Sequence, residues 1–96
     1  MRSSEIIQKY RADIITIATA NHVSNVRIFG SALRGEDTEQ SDLDLLVDPT
    51  SETTLMDIAR IQNRLCLLLG VQVDVLTPQA LPASFRDKVL AEAVPI

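Results

Sequence analysis

The sequence predicts an α+β fold of mixed α/β character, in which a small mixed sheet of about three strands is flanked by helices. Stretches with apolar residues three and four positions apart, typical of amphipathic helices, alternate with short runs that have the two-residue period of strands. Apolar residues make up 46 % of the 96-residue chain and aromatic residues only 3 %. The core must therefore consist mainly of Ile, Leu, Val and Ala, which suits helices packed on a short sheet. This length predicts a single domain over residues 1–96.

The first half of the chain predicts a helix, a strand and a turn. Residues 3–20 carry apolar side chains at helical spacing. Residues 26–29 form a short β-rich run that ends at Gly30. Residues 32–34 then predict a short helical turn, and residues 36–41, which are polar and lack apolar periodicity, predict a loop.

The second half predicts two strands joined by a helix, followed by a last helix. The strands are residues 42–48 and 71–76, and the helix between them is 51–69, which Gly70 ends. A strand, a helix of this length and another strand imply a parallel pair with a right-handed crossover. Residues 79–93 predict the last helix, so the element order is α-β-(short α)-β-α-β-α. We expect four apolar side chains of this last region to face inward: Leu81, Phe85, Val89 and Leu90.

Charge and cysteine content exclude several classes of function. The formal net charge is −4, so we expect no direct nucleic-acid binding, which needs clustered Lys and Arg. Cys66 is the only cysteine, which excludes an internal disulfide and is compatible with a reducing compartment. No apolar run reaches the ~20 residues of a membrane span, and the start lacks a signal-peptide core. We therefore expect a soluble, cytoplasmic protein with no membrane partner.

Three aspartates are predicted to share one face of the sheet. Asp42 and Asp44 are two positions apart on a strand, so their carboxylates emerge on the same side. Asp74 has the matching position on the strand expected next to theirs. Carboxylates 4 Å apart repel by about 4 kcal/mol at an effective dielectric constant of 20, unless one is protonated or a divalent cation neutralises them. Mg²⁺ prefers oxygen ligands and usually keeps substrate phosphates in its shell, which indicates a nucleoside triphosphate held through metal.

A glycine–serine turn precedes these aspartates in the chain. Gly30 lets the backbone approach a phosphate closely, Ser31 adds a hydroxyl, and the N–H groups that begin a helical turn point toward an anion. Arg34 can add positive charge at a leaving pyrophosphate. The sequence thus places a phosphate-binding turn next to carboxylates suited to a cation.

The run GSALRGEDTEQSDLDLLVD, residues 30–48, carries a resemblance to a known family. Its Gly-Ser pair, ten intervening residues and Asp42-Leu43-Asp44 are similar to the signature of the polymerase-β-like nucleotidyltransferases. The fuller run, with its Arg-Gly pair and Ser-Asp-x-Asp, resembles the minimal nucleotidyltransferase (MNT) group of that superfamily. The resemblance extends from Val26 to Asp74, with the flanking helices in fitting places.

The resemblance implies a chemistry and a partner. Gly30 and Ser31 would hold the triphosphate of ATP. Asp42 and Asp44 would bind two Mg²⁺ ions, and Asp74 would join them and help to deprotonate an acceptor hydroxyl, so that AMP is transferred and pyrophosphate released. Many stand-alone members of the group are antitoxins paired with a HEPN-family toxin, and some transfer AMP to a toxin tyrosine. The expected partner is therefore a HEPN-family toxin.

Three functions stay open on the sequence alone. The first is a Mg²⁺-dependent protein adenylyltransferase that silences a toxin. The second is a domain that neutralises its partner by contact, which the apolar helix 51–69 and the apolar tail 93–96 favour; the same helix could mediate an oligomer or a hetero-complex. The third is transfer to a small molecule such as an antibiotic. A domain of this length has little concave surface for two substrates, which favours a protein acceptor.

Overall fold

The computed structural model describes residues 3–30 and 42–96. In these ranges three helices, four strands and one 3₁₀ turn are present. In chain order they are α1 (Ser3–Ala20), β1 (Val23–Phe29), β2 (Leu43–Pro49), α2 (Leu55–Leu69), β3 (Val73–Leu76), the 3₁₀ turn (Pro78–Ala80), α3 (Ala83–Glu92) and β4 (Val94–Pro95). None of the described helices is both long and apolar enough to cross a bilayer.

The strands form one mixed sheet in the order β3-β2-β1-β4. Strand β2 is parallel to β3, as the strand–helix–strand pattern predicted, and β1 is antiparallel to β2 and to β4. The predicted α+β class is confirmed. The described residues contain one strand more than the expected three, because the apolar tail adds the two-residue edge strand β4 beside Arg27 and Ile28.

The hydrophobic core lies on one face of this sheet, between the strands and the two long helices. Alternation along β2 sends Leu43, Leu45 and Val47 into it, and each is at most 1 % exposed. Helices α1 and α2 cover this face and supply most of the remaining apolar side chains. The other buried members of the core are Ile6, Ile7, Ile14, Ala18, Val23, Val26, Ile61, Leu65, Leu69, Val73 and Val75.

Local backbone chemistry explains two of the predicted boundaries that differ in the structure. Strand β1 begins at Val23 instead of residue 26; the pairing register shifts between Ser24 and Arg27, and Asn25 has φ 51°, which is how a bulge extends a strand past a turn-forming residue. Helix α2 begins at Leu55 instead of residue 51, because Thr54 is its N-cap.

The prediction for the last helix was wrong in its packing. Leu81 is buried, but it precedes the helix, and none of the side chains of α3 is buried. Phe85 is 44 % exposed and Leu90 36 %. The reason is that one face of α3 lines a cavity beside the sheet instead of packing on the core, so its apolar side chains stay partly exposed.

Candidate active site

Two of the predicted aspartates lie side by side in the sheet. Asp44 of β2 is the register partner of Asp74 of β3, and both are half-buried. Each aspartate lies between two core residues, Leu43 and Leu45 around Asp44 and Val73 and Val75 around Asp74. The alternation of side chains along a strand therefore places both carboxylates on the face opposite the core. Asp42 is exposed and lies one residue before β2. Asp44 and Asp74 thus share one face of the sheet, as their spacing predicted, and Asp42 lies just before the start of β2.

The carboxyl group of Asp44 is held in an environment that opposes its ionisation. Burial raises the pKa of Asp44, and repulsion from the carboxylates of Asp74 and Asp42 raises it further. A cation among the oxygens would offset both effects, since a nearby opposite charge favours the ionised form of the carboxyl. The donor set, carboxylate oxygens only, is the kind that Mg²⁺ takes.

The aspartates do not form a closed metal cage by themselves. Within residues 3–30 and 42–96, no group of three or more His, Cys, Asp or Glu side chains is arranged to hold a metal ion. Mg²⁺ is commonly bound through one or two carboxylates, with substrate phosphates and waters filling its shell. Asp44 and Asp74 therefore fit a cation that shares its ligands with a polyphosphate, and their role as ligands stays a prediction.

Gly30 packs directly against the Asp44 carboxylate. It follows Phe29, the register partner of Asp44 in the antiparallel pair. A Cβ at position 30 would lie 2.5 Å from Oδ2 of Asp44, closer than real contacts allow, and Gly30 has φ 80°, which only glycine adopts freely. Both the backbone and the space therefore require glycine here. The other predicted nucleotide-binding residues, Ser31 and Arg34, lie outside the described residues.

A cavity of about 320 Å³ opens beside this carboxylate. One wall is the end of β1 with Asp44, and the other is a single face of α3. The described lining residues are Phe29, Gly30, Asp44, Phe85, Lys88, Val89 and Glu92. Sequence reasoning assigned Phe85 and Val89 to the core and did not consider Lys88 or Glu92. The sequence does contain a signal for this wall of the cavity, because positions 85, 88, 89 and 92 share one helical face.

Asp48 lies on the same face of β2 as Asp44 but has different partners. Its carboxylate accepts a hydrogen bond from the amide nitrogen of Asn25 at 2.9 Å and is ion-paired with the guanidinium of Arg27. These contacts tie β2 to β1. The charge of Asp48 is therefore balanced by Arg27, and its contacts connect two strands.

The described residues thus bring carboxylates on neighbouring strands together with a tight glycine and an open cavity. The family model described as "Polymerase beta, Nucleotidyltransferase" matches residues 12–96. The chain belongs to this family and is a nucleotidyltransferase.

Relatives and solved structures agree with this assignment. MJ0435 of Methanocaldococcus jannaschii, whose name assigns it provisionally as a protein adenylyltransferase, is 37 % identical over 90 residues, covering 94 % of this chain and 97 % of its own. The protein adenylyltransferase MntA of Thermococcus cleftensis is 36 % identical over 72 residues, covering 75 % of this chain and 73 % of its own. A solved structure provisionally named a minimal nucleotidyltransferase has a TM-score of 0.86 and 40 % identity, covering 97 % of this chain and 95 % of its own.

A more distant structure shares the fold alone. It is a toxin–antitoxin complex crystallised with AMP-PNP, and its matching chain has a TM-score of 0.73 and 19 % identity, covering 88 % of this chain and 69 % of its own.

Proposed function

We propose that this chain transfers AMP from ATP to a hydroxyl, expected to be a tyrosine, of a HEPN-type toxin, and thereby acts as its antitoxin in the cytoplasm. The observation that carries the proposal is the pairing of Asp44 with Asp74 beside Gly30. Its support for a protein acceptor is the likeness to MntA, which is named a protein adenylyltransferase.

The proposed reaction is an in-line displacement at phosphorus. The acceptor oxygen attacks the α-phosphorus of ATP and forms a new P–O bond. The bond from the α-phosphorus to the oxygen that bridges it to the β-phosphorus breaks, and pyrophosphate leaves with the electron pair. The acceptor proton passes to a carboxylate oxygen, for which Asp74 is placed beside Asp44. Asp42, Asp44 and Asp74 would hold two Mg²⁺ ions, which when bound offset the negative charge of the phosphates.

The size of the cavity supports an acceptor that comes from outside the chain. Pockets for small ligands span about 300–1,000 Å³, so the cavity of about 320 Å³ beside Asp44 is at the lower end of that range. It has room for part of a nucleotide and little more. A partner protein that brings its own hydroxyl would complete the site.

A second function, neutralisation by contact, is favoured by the exposed face of α2. Leu55 is 88 % exposed, Met56 69 % and Leu67 86 %. Apolar side chains this exposed are common singly, but three on one helix suit an interface. This face could bind a toxin or a second copy whether or not the chain is active.

The test is transfer of label from α-³²P-ATP to a HEPN-type protein encoded beside this chain, in the presence of Mg²⁺. We expect the toxin to gain the mass of AMP. Asp44→Asn should reduce the rate by more than about 100-fold, since even residues that only support a metal ligand cost about 10- to 100-fold. Asp48→Asn is the matched control, because it removes a carboxylate from the same strand outside the cavity, and it should keep most of the activity.

The toxin's own activity separates the two functions. If the chain with Asp44→Asn still neutralises the toxin fully, contact is the mechanism and transfer is not needed. If the wild-type chain leaves the toxin unlabelled but labels a small hydroxyl compound, the acceptor class proposed here is wrong.

A further inference from the structure

Helix α3 presents one of its faces to the cavity instead of to a core. Phe85, Lys88, Val89 and Glu92 line the cavity together with Gly30 and Asp44. No side chain of α3 is buried, and Phe85 keeps 44 % of its surface exposed. An aromatic ring that borders a cavity and is only half covered has a free face on which a flat group can stack. The helix thus forms a second wall whose surface suits a ligand.

Among the described lining residues, the helix wall supplies the positive charge that the sheet side of the cavity lacks. Asp44 and Glu92 both bring negative charge to the cavity, and Lys88 is the cationic side chain among the described lining residues. A polyphosphate entering beside Asp44 is repelled by these carboxylates, so an ammonium group facing the same space lowers the cost of its binding. A nucleotide has the two groups that this wall recognises, a flat base and a charged phosphate chain.

We propose that α3 is the nucleotide-recognition wall of the site: Phe85 stacks on the nucleobase and Lys88 binds the phosphate chain. This rests on the proposed function in one respect, that the cavity beside Asp44 holds ATP. The size of the cavity, about 320 Å³, suits a nucleoside better than a folded acceptor segment. Phe85 and Lys88 are binding residues, and the reacting groups stay on the sheet.

The first experiment measures equilibrium binding of ATP and of inorganic triphosphate, each with Mg²⁺, to wild type and to Phe85→Leu. Leucine keeps apolar bulk but lacks the stacking face. Base stacking on an aromatic side chain is worth about 1–3 kcal/mol by alanine substitution, so we expect ATP to bind about 5- to 20-fold more weakly. Affinity for triphosphate, which has no base, should not change. Leu90→Ala, on the same helix but away from the cavity, should leave both affinities unchanged.

The second variant, Lys88→Gln, tests the phosphate contact. Losing one charge-assisted contact at a partly solvated site should weaken both ATP and triphosphate about 3- to 20-fold. It should also flatten the dependence of affinity on salt, a change that a merely structural role would not produce. Lys9→Gln, which removes an exposed charge from α1, is the matched control and should change neither affinity nor salt dependence.

Several outcomes would overturn the inference. Equal losses of ATP and triphosphate affinity in Phe85→Leu would show a structural role, and unchanged ATP affinity would show no role. If Phe85→Leu instead raises the KM of the acceptor protein and leaves ATP binding intact, the wall serves the acceptor. Circular dichroism and the Tm of each variant check that the fold is retained.

The two proposals fail separately. If α3 variants lose ATP affinity as expected and the toxin is never labelled, the wall stands and the protein acceptor is wrong. If the toxin is labelled and neither variant changes ATP binding, the adenylyltransferase stands and the wall is wrong. If wild type binds no ATP with Mg²⁺, both are wrong.

Discussion

Asp44 is half-buried and Asp57 is buried, and their surroundings shift the pKa of the carboxyl group in opposite directions. The Asp57 carboxylate accepts hydrogen bonds from the backbone N–H of Thr54 at 2.9 Å and from Arg60 at 3.0 Å, and lies 3.3 Å from the imidazole of His22. The N–H of Thr54 is the largest cause that lowers the pKa of Asp57. For Asp44, burial and then repulsion from neighbouring carboxylates raise the pKa.

Asp57, Arg60, Asn21 and His22 form a cluster that joins three parts of the fold. Arg60 also donates to the side-chain oxygen of Asn21 at 3.0 Å, and His22, at the end of α1, has φ 66°. The carbonyl of His22 accepts a hydrogen bond from the hydroxyl of Thr50 at 3.1 Å. The cluster thus joins the end of α1, the turn after β2 and the start of α2.

The difference separates a carboxylate that stabilises the fold from the one that we propose to be catalytic. Asp57 is supplied with donors by the chain itself, so its charge stabilises the fold. Asp44 is brought close to two like charges, an arrangement that costs stability in the free protein and that a bound cation would relieve. The following changes test how far this contrast holds.

Among changes that leave the aspartates in place, the largest effect is expected from Gly30→Ala. A Cβ at this position would lie 2.5 Å from Oδ2 of Asp44, so the carboxylate must move. A displacement of this kind at a reacting centre costs about 100-fold in rate. Alanine at positive φ should also reduce the free energy of unfolding by about 1–2 kcal/mol. Label transfer and urea denaturation measure the two effects.

Gly70→Ala is the matched control for the backbone term. Gly70 has φ 70° at the end of α2, and a Cβ there would meet nothing within 4 Å. We expect a similar loss of stability with activity retained. A parallel fall in activity in both variants would mean that Gly30 acts only through stability.

The Asp44 side of this comparison could be predicted from the sequence, because it depends on spacing. The two-residue period placed Asp44 opposite the core, and the strand–helix–strand pattern placed Asp74 on the parallel neighbour, as the register shows. Gly70 was predicted as the end of α2 from its freedom at positive φ. Each of these follows from local geometry that a short run of residues determines.

The remainder depends on contacts between distant residues, which spacing does not report. The ring of His22 meets Asp57 across 35 positions, and nothing in either local pattern announces this pair. The inward face of α3 was predicted wrongly because apolar periodicity cannot distinguish a core from a cavity wall. Phe85 lines the cavity and stays 44 % exposed, although its spacing is that of a core residue.

A smaller effect is expected from Thr54→Ala, which removes a hydrogen bond between Thr54 and Asp57. The Thr54 hydroxyl accepts from the N–H of Asp57 at 3.2 Å, and the Asp57 carboxylate accepts from the N–H of Thr54, which forms a capping box. Losing the cap should lower the free energy of unfolding by about 1 kcal/mol and leave the KM for ATP unchanged. Thr54→Ser, which keeps the hydroxyl, should recover most of the stability in urea denaturation. A changed KM for ATP in Thr54→Ala would show that the two regions are coupled.

The smallest effect, and the one most specific to the contrast, is in the pH dependence of stability without metal. Because the folded pKa of Asp44 is raised, its ionisation opposes folding as pH rises above the unfolded value of about 3.9. Asp44→Asn should therefore be more stable than wild type at pH 7, by less than about 1 kcal/mol for a partly exposed charge. The gain should shrink as pH falls and vanish below the unfolded pKa, where the carboxyl of wild type is protonated in both states.

Asp57→Asn should show the opposite sign in the same urea titration. The folded pKa of Asp57 is lowered, so its stabilising contribution is present above the unfolded pKa and is lost as pH falls through the folded pKa. The variant should be less stable than wild type at pH 7, and the two should converge in acid. Adding Mg²⁺ and ATP should reverse the order of wild type and Asp44→Asn, because wild type gains stability from a ligand that binds its folded state and Asp44→Asn does not. Asp57→Asn keeps the proposed site, so it should stay less stable than wild type. If both variants lose stability at pH 7 without metal, the Asp44 carboxylate is already neutralised by the chain, and the distinction between a folding and a catalytic carboxylate fails.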